Sequence, residues 1–108
     1  DGRGFAVSGG VAQAVVNVIK KEDPTREVKV VSAQGLAECK KMMQLAAAGK
    51  YNGYLLEGMG CPGGCIAGAG TLADPARSAM MLNKYKAQAT MKTAADTPYK
   101  DTLDKLKY

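Results

Sequence analysis

Six of the thirteen glycines in this 108-residue chain lie in one short segment, Gly58-Met-Gly-Cys-Pro-Gly-Gly-Cys-Ile-Ala-Gly-Ala-Gly70. Glycine loses more backbone freedom on ordering than any other residue, so this run cannot be a regular strand and would be costly as a helix. It is expected to be an irregular loop carrying two cysteines, and the rest of the fold has to be built from what flanks it.

Upstream, Ser8-Gly9-Gly10 precedes Val11, Ala14, Val15, Val18 and Ile19, which fall on one face of a helix. Ser8 is the expected N-cap and Pro24 the stop. Glu27 to Val31 alternates and then runs apolar, as a strand at least half buried would. A second helix is expected from about Gly35, with Leu36, Cys39, Met43 and Ala46 on its apolar face and Gly49 as the terminating glycine. Tyr54-Leu55-Leu56 reads as a second strand. The order α-β-α-β predicts a small parallel sheet with flanking helices, because two strands joined by a helix most simply run parallel.

Downstream, Asp74-Pro75 combines an N-cap with proline at the first helical position and opens a helix to about Ala89. Thr97-Pro98 repeats the device ahead of Tyr99, Leu103 and Leu106, so a C-terminal helical pair is expected, with Lys92 to Asp96 as a linker. The chain divides into an α/β unit over 1–57, a cysteine and glycine loop over 58–72 and a helical tail over 73–108, within one domain. At 108 residues and 46% hydrophobic content it is too short for two ordinary cores.

Charge and cysteine usage narrow the function classes. The formal charge of +5 comes from lysines dispersed along helices, and there is one Phe, no Trp and five scattered Tyr. Neither a basic stripe nor a stacking platform results, which argues against nucleic-acid binding. Charges or glycines interrupt every apolar run, which argues against a membrane span. The first residues, Asp-Gly-Arg-Gly-Phe, have no initiator Met, basic n-region or apolar run of signal length, so they read as a cut inside a longer protein. Three cysteines with no export signal suggest a reducing compartment, and a cytoplasmic location is expected.

Cys61 and Cys65 stand four apart around Pro-Gly-Gly, beyond the end of a strand expected to be parallel, where ligands commonly bind in open α/β sheets. Thiolates are the usual ligands of iron-sulfur clusters. Glycines between and after them let the backbone approach a bulky inorganic group and let amides point at its sulfides. Two other readings stay open on spacing alone. A redox disulfide is one, although thioredoxin-type pairs have two intervening residues. Structural zinc is the other, although three Cys and no His cannot complete its four ligands without a second molecule.

The longer string Glu57-Gly-Met-Gly-Cys-Pro-Gly-Gly-Cys-Ile-Ala-Gly-Ala-Gly70 resembles the last cysteine motif of iron-only (FeFe) hydrogenases, Glu-x-Met-Ala-Cys-Pro-Gly-Gly-Cys with a glycine-rich tail. Phe5-Ala-Val-Ser-Gly-Gly-Val11 resembles that family's Gly-Gly turn before a helix. Gly35-Leu-Ala-Glu-Cys-Lys-Lys-Met-Met43 and Ala48-Gly-Lys50 resemble its next helix. The resemblance covers the chain to about Thr71 and is looser from Ala76 onward.

The resemblance implies a C-terminal lobe of the large-subunit catalytic domain of an oxidoreductase. That enzyme interconverts protons and electrons with molecular hydrogen, with ferredoxin as electron partner. Its cofactor, the H-cluster, is a 4Fe-4S cluster held by four cysteines, one of which bridges to a two-iron subsite. By position Cys61 corresponds to a terminal ligand, Cys65 to the bridging one, and Met59 to a residue lining the two-iron pocket; Gly63 and Gly64 fall within the cofactor-binding turn. The other two ligands lie upstream in the family, so the remainder of the catalytic domain is the implied partner and this chain alone is expected to be inactive. Cys39, spaced with Leu36 and Met43, is read as a core cysteine. Gly60 stands where most members have Ala, and Ala69, Thr71 and Leu72 replace the usual Gly-Gln-Pro. These departures resemble divergent branches, which brings in the alternatives of a slow-turnover sensor or an iron-sulfur assembly protein on the same fold; a bare scaffold whose loop binds nothing is a third.

Overall fold

The structure, a computed structural model, describes residues 1–103, 105 and 106. A 3-10 turn at Gly2–Gly4 leads into α1 (Gly10–Glu22), followed by β1 (Lys29–Gln34), α2 (Leu36–Ala47) and β2 (Tyr54–Met59). After the glycine loop come α3 (Pro75–Ala87) and α4 (Lys100–Leu103). The fold is α/β, as the element order predicts. β1 and β2 pair in parallel, in a register running from Lys29 opposite Tyr54 to Gln34 opposite Met59.

The pleat assigns the two helices to opposite faces of this sheet. Ser32 and Glu57 are register partners whose side chains meet on the α1 side, and the Glu57 carboxylate accepts from the Ala12 N–H of α1. Ala33 and Gly58, one residue on, face α2, where Cys39 Sγ donates weakly to the Ala33 carbonyl at 3.7 Å. A Cβ on Gly58 would lie 3.2 Å from Cys39 Sγ. This is why β2 continues through Gly58 and Met59, which were expected to lie in the irregular loop: the missing side chain leaves room for the cysteine of α2.

Several local expectations are corrected. Ser8 does not cap α1; the N-cap is Gly9, at φ +89°, and Glu57 takes over the capping from the neighbouring strand. β1 begins and ends later than the alternation suggests, because pairing with β2 sets its limits. In α1 the buried residues are Ala12, Ala14 and Val16, while Val11 and Val15 remain exposed. In α2 the core residue is Met42, and Leu36 and Met43 are 79% and 61% exposed. The helix turns its Cys39–Met42 edge to the sheet, since a spacing of three serves as well as one of four. Gly49 terminates α2 as expected, with its N–H on Ala46 and that of Lys50 on Leu45 in a Schellman pattern.

The tail is docked by polar contacts. Asp74 caps α3 by accepting from the Arg77 N–H at 2.8 Å, as Asp-Pro predicts. Arg3 donates to the Tyr85 carbonyl at 3.0 Å and lies 4.0 Å over the Tyr85 ring. The expected linker over Lys92 to Asp96 is instead partly ordered as a 3-10 turn, Ala94–Asp96, with a Thr93/Asp96 capping box, and Asp96 pairs with Lys21 of α1. The second helix of the expected C-terminal pair is a single turn. Tyr99 and Leu106 are exposed, and the Leu103 side chain and residues 104, 107 and 108 lie outside the described residues.

Packing is thin. Ala12, Ala14, Val16, Ala33 and Met42 form the core, with no large side chain fully buried among the described residues. The accessible surface is 7922 Å², against about 5,700 Å² for a compact monomer of this mass. The radius of gyration of 15.8 Å likewise exceeds the about 13 Å of a compact chain this long. Among the described residues no helix is long and apolar enough to cross a membrane.

Candidate functional site

The cysteine loop leaves the C-terminal end of β2 and is tied down on two sides. On the β1 side, the Gly63 N–H donates to Gln34 Oε1 at 2.7 Å, and the Gly35 N–H donates to the Met59 carbonyl at 2.8 Å. On the α1 side, the Ser8 N–H donates to the Gly63 carbonyl at 3.2 Å and the Ile66 N–H to the Ala6 carbonyl at 3.1 Å. The strap Ala6–Ser8, just before α1, therefore pairs with the loop through two backbone hydrogen bonds.

Two glycines are obligatory here, Gly64 where the loop meets the strap and Gly10 where α1 meets the Gly2–Gly4 turn. Gly64 has φ +92° and ψ −174°, a region open essentially to glycine alone. A Cβ there would also lie 2.5 Å from the Ala6 oxygen and 2.6 Å from the Ser8 nitrogen. Gly10 is required for a steric reason, since its Cβ would fall 2.0 Å from the Gly4 oxygen. Gly10 thus seats α1 on the N-terminal turn, and Gly64 seats the loop on the Ala6–Ser8 strap that joins the two.

Within the loop, the Gly64 N–H donates to the Cys61 carbonyl at 3.0 Å, and Cys65 opens a 3-10 turn, Cys65–Ala67, closed by the Gly68 N–H on the Cys65 carbonyl. Cys61 is half-buried, and a Cβ on Gly68 would stand 3.4 Å from its sulfur. Cys65 is exposed, and neither residue is in a disulfide. Met59 is half-buried at the end of β2, lining a groove between α1 and β2 with Val11, Val15 and Leu56; neither cysteine lines that groove. The expectation that loop amides point outward fails at Gly63 and Gly64, whose N–H groups are taken by Gln34 and Cys61. These two glycines shape the turn.

Cys39 stands apart from the loop. It is half-buried between α2 and the sheet, its sulfur against Gly58 and within 3.7 Å of the Ala33 and Met59 carbonyls. Among the described residues no three His, Cys, Asp or Glu side chains gather into a metal-holding group. The loop offers two soft thiols beside a glycine surface open to a bulky neighbour, which fits half of a four-thiolate set.

Sequence reasoning left Glu57 without a structural role. Its side chain reaches the α1 N-terminus, accepting from the Gly9 N–H at 2.7 Å and the Ala12 N–H at 3.0 Å, and it meets Ser32 Oγ at 3.2 Å. At 7% exposure it is among the most buried polar residues described. The signal was an acidic residue ending an apolar strand run, a position where charge is tolerated only with partners. Gln34, the other anchor, left no comparable signal.

Compared with known proteins, residues 1–69 match the family described as iron only hydrogenase large subunit, C-terminal domain. No curated protein and no solved structure matches the chain.

Proposed function

The chain belongs to the iron-only hydrogenase large-subunit family, and from that premise we propose that Cys61 and Cys65 supply two of the four thiolates holding the 4Fe-4S part of an H-cluster. The observation that carries the proposal is the junction itself. Two cysteines lie beyond the end of a parallel strand, one half-buried beside Gly68 and one exposed, on a turn that glycines alone can form. When bound, the cluster would supply electron transfer and the iron site at which protons and hydrogen interconvert. Cys61 would anchor it from the sheet side, while Cys65, free toward solvent, would bridge to the two-iron subsite. Met59 would line the subsite with a soft thioether.

The whole protein is then a hydrogen-converting oxidoreductase in the cytoplasm, with ferredoxin as its electron partner. The other two ligands come from the remainder of the catalytic domain, which also covers the faces this chain leaves open. The excess surface over a compact monomer, about 2,200 Å², is well above the roughly 800 Å² each partner buries in an interface of standard size. Exposed Val11, Val15, Met43 and Met80 supply apolar contact area for that partner. The experiment is hydrogen evolution from reduced viologen. The whole protein, matured, is expected to turn over while the 108-residue chain alone is inactive, since two thiolates cannot hold a cubane that needs four. Turnover by the purified chain alone would refute the reading.

A sensory, slowly turning-over member is the second reading. It is favoured by the substitutions at Ala69, Thr71 and Leu72, which begin where the family match ends at residue 69.

A further inference from the structure

We propose that Glu57 is a positioning residue for the cysteine loop, acting through the Ala6–Ser8 strap. The carboxylate is fixed on β2, four residues before Cys61, and accepts from Gly9 and Ala12 in the first turn of α1. Those two bonds hold the start of α1 against the sheet. The strap immediately before it, closed onto the helix by the Gly10 N–H on the Val7 carbonyl at 3.0 Å, then presents Ala6 and Ser8 to the loop. The loop in turn receives Ser8 on Gly63 and donates from Ile66 to Ala6, on either side of Gly64.

The path is a closed ring. It runs from β2 through the Glu57 carboxylate to α1, along the strap, across two hydrogen bonds to the loop, and back along the chain through Cys61 to β2. A side chain at 57 too short to reach α1 opens this ring at its only side-chain link, so that the strap holding the loop from the α1 side is no longer tied by a side chain to β2, while the Gln34 bond on the other side remains. Hydrogen bonds from N–H groups to a carboxylate are the stronger kind, which suits a link that must keep a glycine-rich loop in one conformation. The consequence for cluster ligation rests on the reading of Cys61 and Cys65 given above; the positioning itself does not, and its test reads thiols instead of iron.

The three cysteines serve as internal probes. Cys61 is half-buried beside Gly68, Cys65 is already exposed, and Cys39 lies on the opposite face of the sheet from Glu57. In the 108-residue chain, thiol modification is followed site by site with a maleimide, alongside amide exchange of Ser8 and Ile66. For Glu57→Ala, Cys61 is expected to react about tenfold faster and the two amides to lose protection, with Cys39 and Cys65 within about twofold of their original rates. Glu57→Gln keeps one acceptor oxygen and is expected to restore part of the Cys61 protection. If Glu57→Ala has lost its helical circular dichroism, Glu57→Gln decides, with the same pattern at smaller amplitude. An unchanged Cys61 rate, or a common rise at all three thiols, would overturn the proposal by showing no role or a merely global one.

Discussion

Replacing Gly64 by Ala should dislodge the cysteine loop while leaving the sheet intact. At φ +92° and ψ −174° an alanine carries about 1–3 kcal/mol of backbone strain. Its Cβ also meets the Ala6 oxygen at 2.5 Å and the Ser8 nitrogen at 2.6 Å, both backbone atoms that cannot rotate away. Relief requires the loop to lift off the strap, which breaks the Ser8–Gly63 and Ile66–Ala6 hydrogen bonds, at about 1 kcal/mol each. The variant settles into whichever of strain or detachment costs less, so detachment caps the loss at about 2 kcal/mol. Gly60→Ala is the control. Nothing lies within 4 Å of that Cβ and its φ is not positive, so the expected change is zero or a gain of about 0.5 kcal/mol from a stiffer unfolded chain. Urea unfolding followed by circular dichroism reads the difference, which should separate the two midpoints by about 1–2 M. Coincident midpoints would mean that the loop does not lie against the strap.

Asp74→Ala should cost about 1 kcal/mol through loss of the α3 cap, visible as a lower melting temperature, whereas Asp74→Asn should be nearly neutral. Asp96→Asn tests the Lys21 pair. The Lys21 ammonium, followed by the Thr93 N–H and hydroxyl, holds the Asp96 carboxyl well below its ordinary value of 3.8. A depressed folded-state pKa contributes stability above the unfolded value and loses it as pH falls through the folded one. The variant should therefore be less stable than the original at pH 7, with the gap closing progressively below about pH 4. Because the pair is solvent-accessible, the gap should also shrink in 1 M salt; urea titrations across pH and salt check both.

What the sequence made legible was local chemistry, and what it hid was set between elements. Asp74-Pro75 and Gly49 act on their own neighbours within a few residues, so their roles follow from residue type. The glycine-rich segment was legible as an irregular turn because six glycines exclude a regular strand, and its family was legible through the resemblance of the Glu57–Gly70 string, which the match over residues 1–69 supports. Ser8, by contrast, lost the cap of α1 to Glu57, 48 residues from Gly9 in sequence, and no window centred on Ser8 contains that residue. Met42 and Met43 are equally good candidates for a helix face three or four residues from Cys39. The tie is broken only by Gly58, whose missing side chain admits Cys39 and brings the Met42 methyl within 3.9 Å of where a Cβ would be. The exposed valines of α1 show the same limit, since an apolar stripe says that something covers it without saying that the cover lies in this chain.

The central claim, that Cys61 and Cys65 are ligands and Cys39 is not, is tested most directly by iron content of the whole matured protein carrying Cys65→Ser or Cys39→Ser. Serine's harder oxygen replaces a bridging thiolate poorly, whereas at Cys39 it sits on a half-buried helix face within reach of two carbonyls and costs about 1–2 kcal/mol of stability. The account predicts that Cys65→Ser loses iron and that Cys39→Ser retains it with a lower melting temperature. Retention of the full iron complement by Cys65→Ser, with its loss from Cys39→Ser, would contradict it.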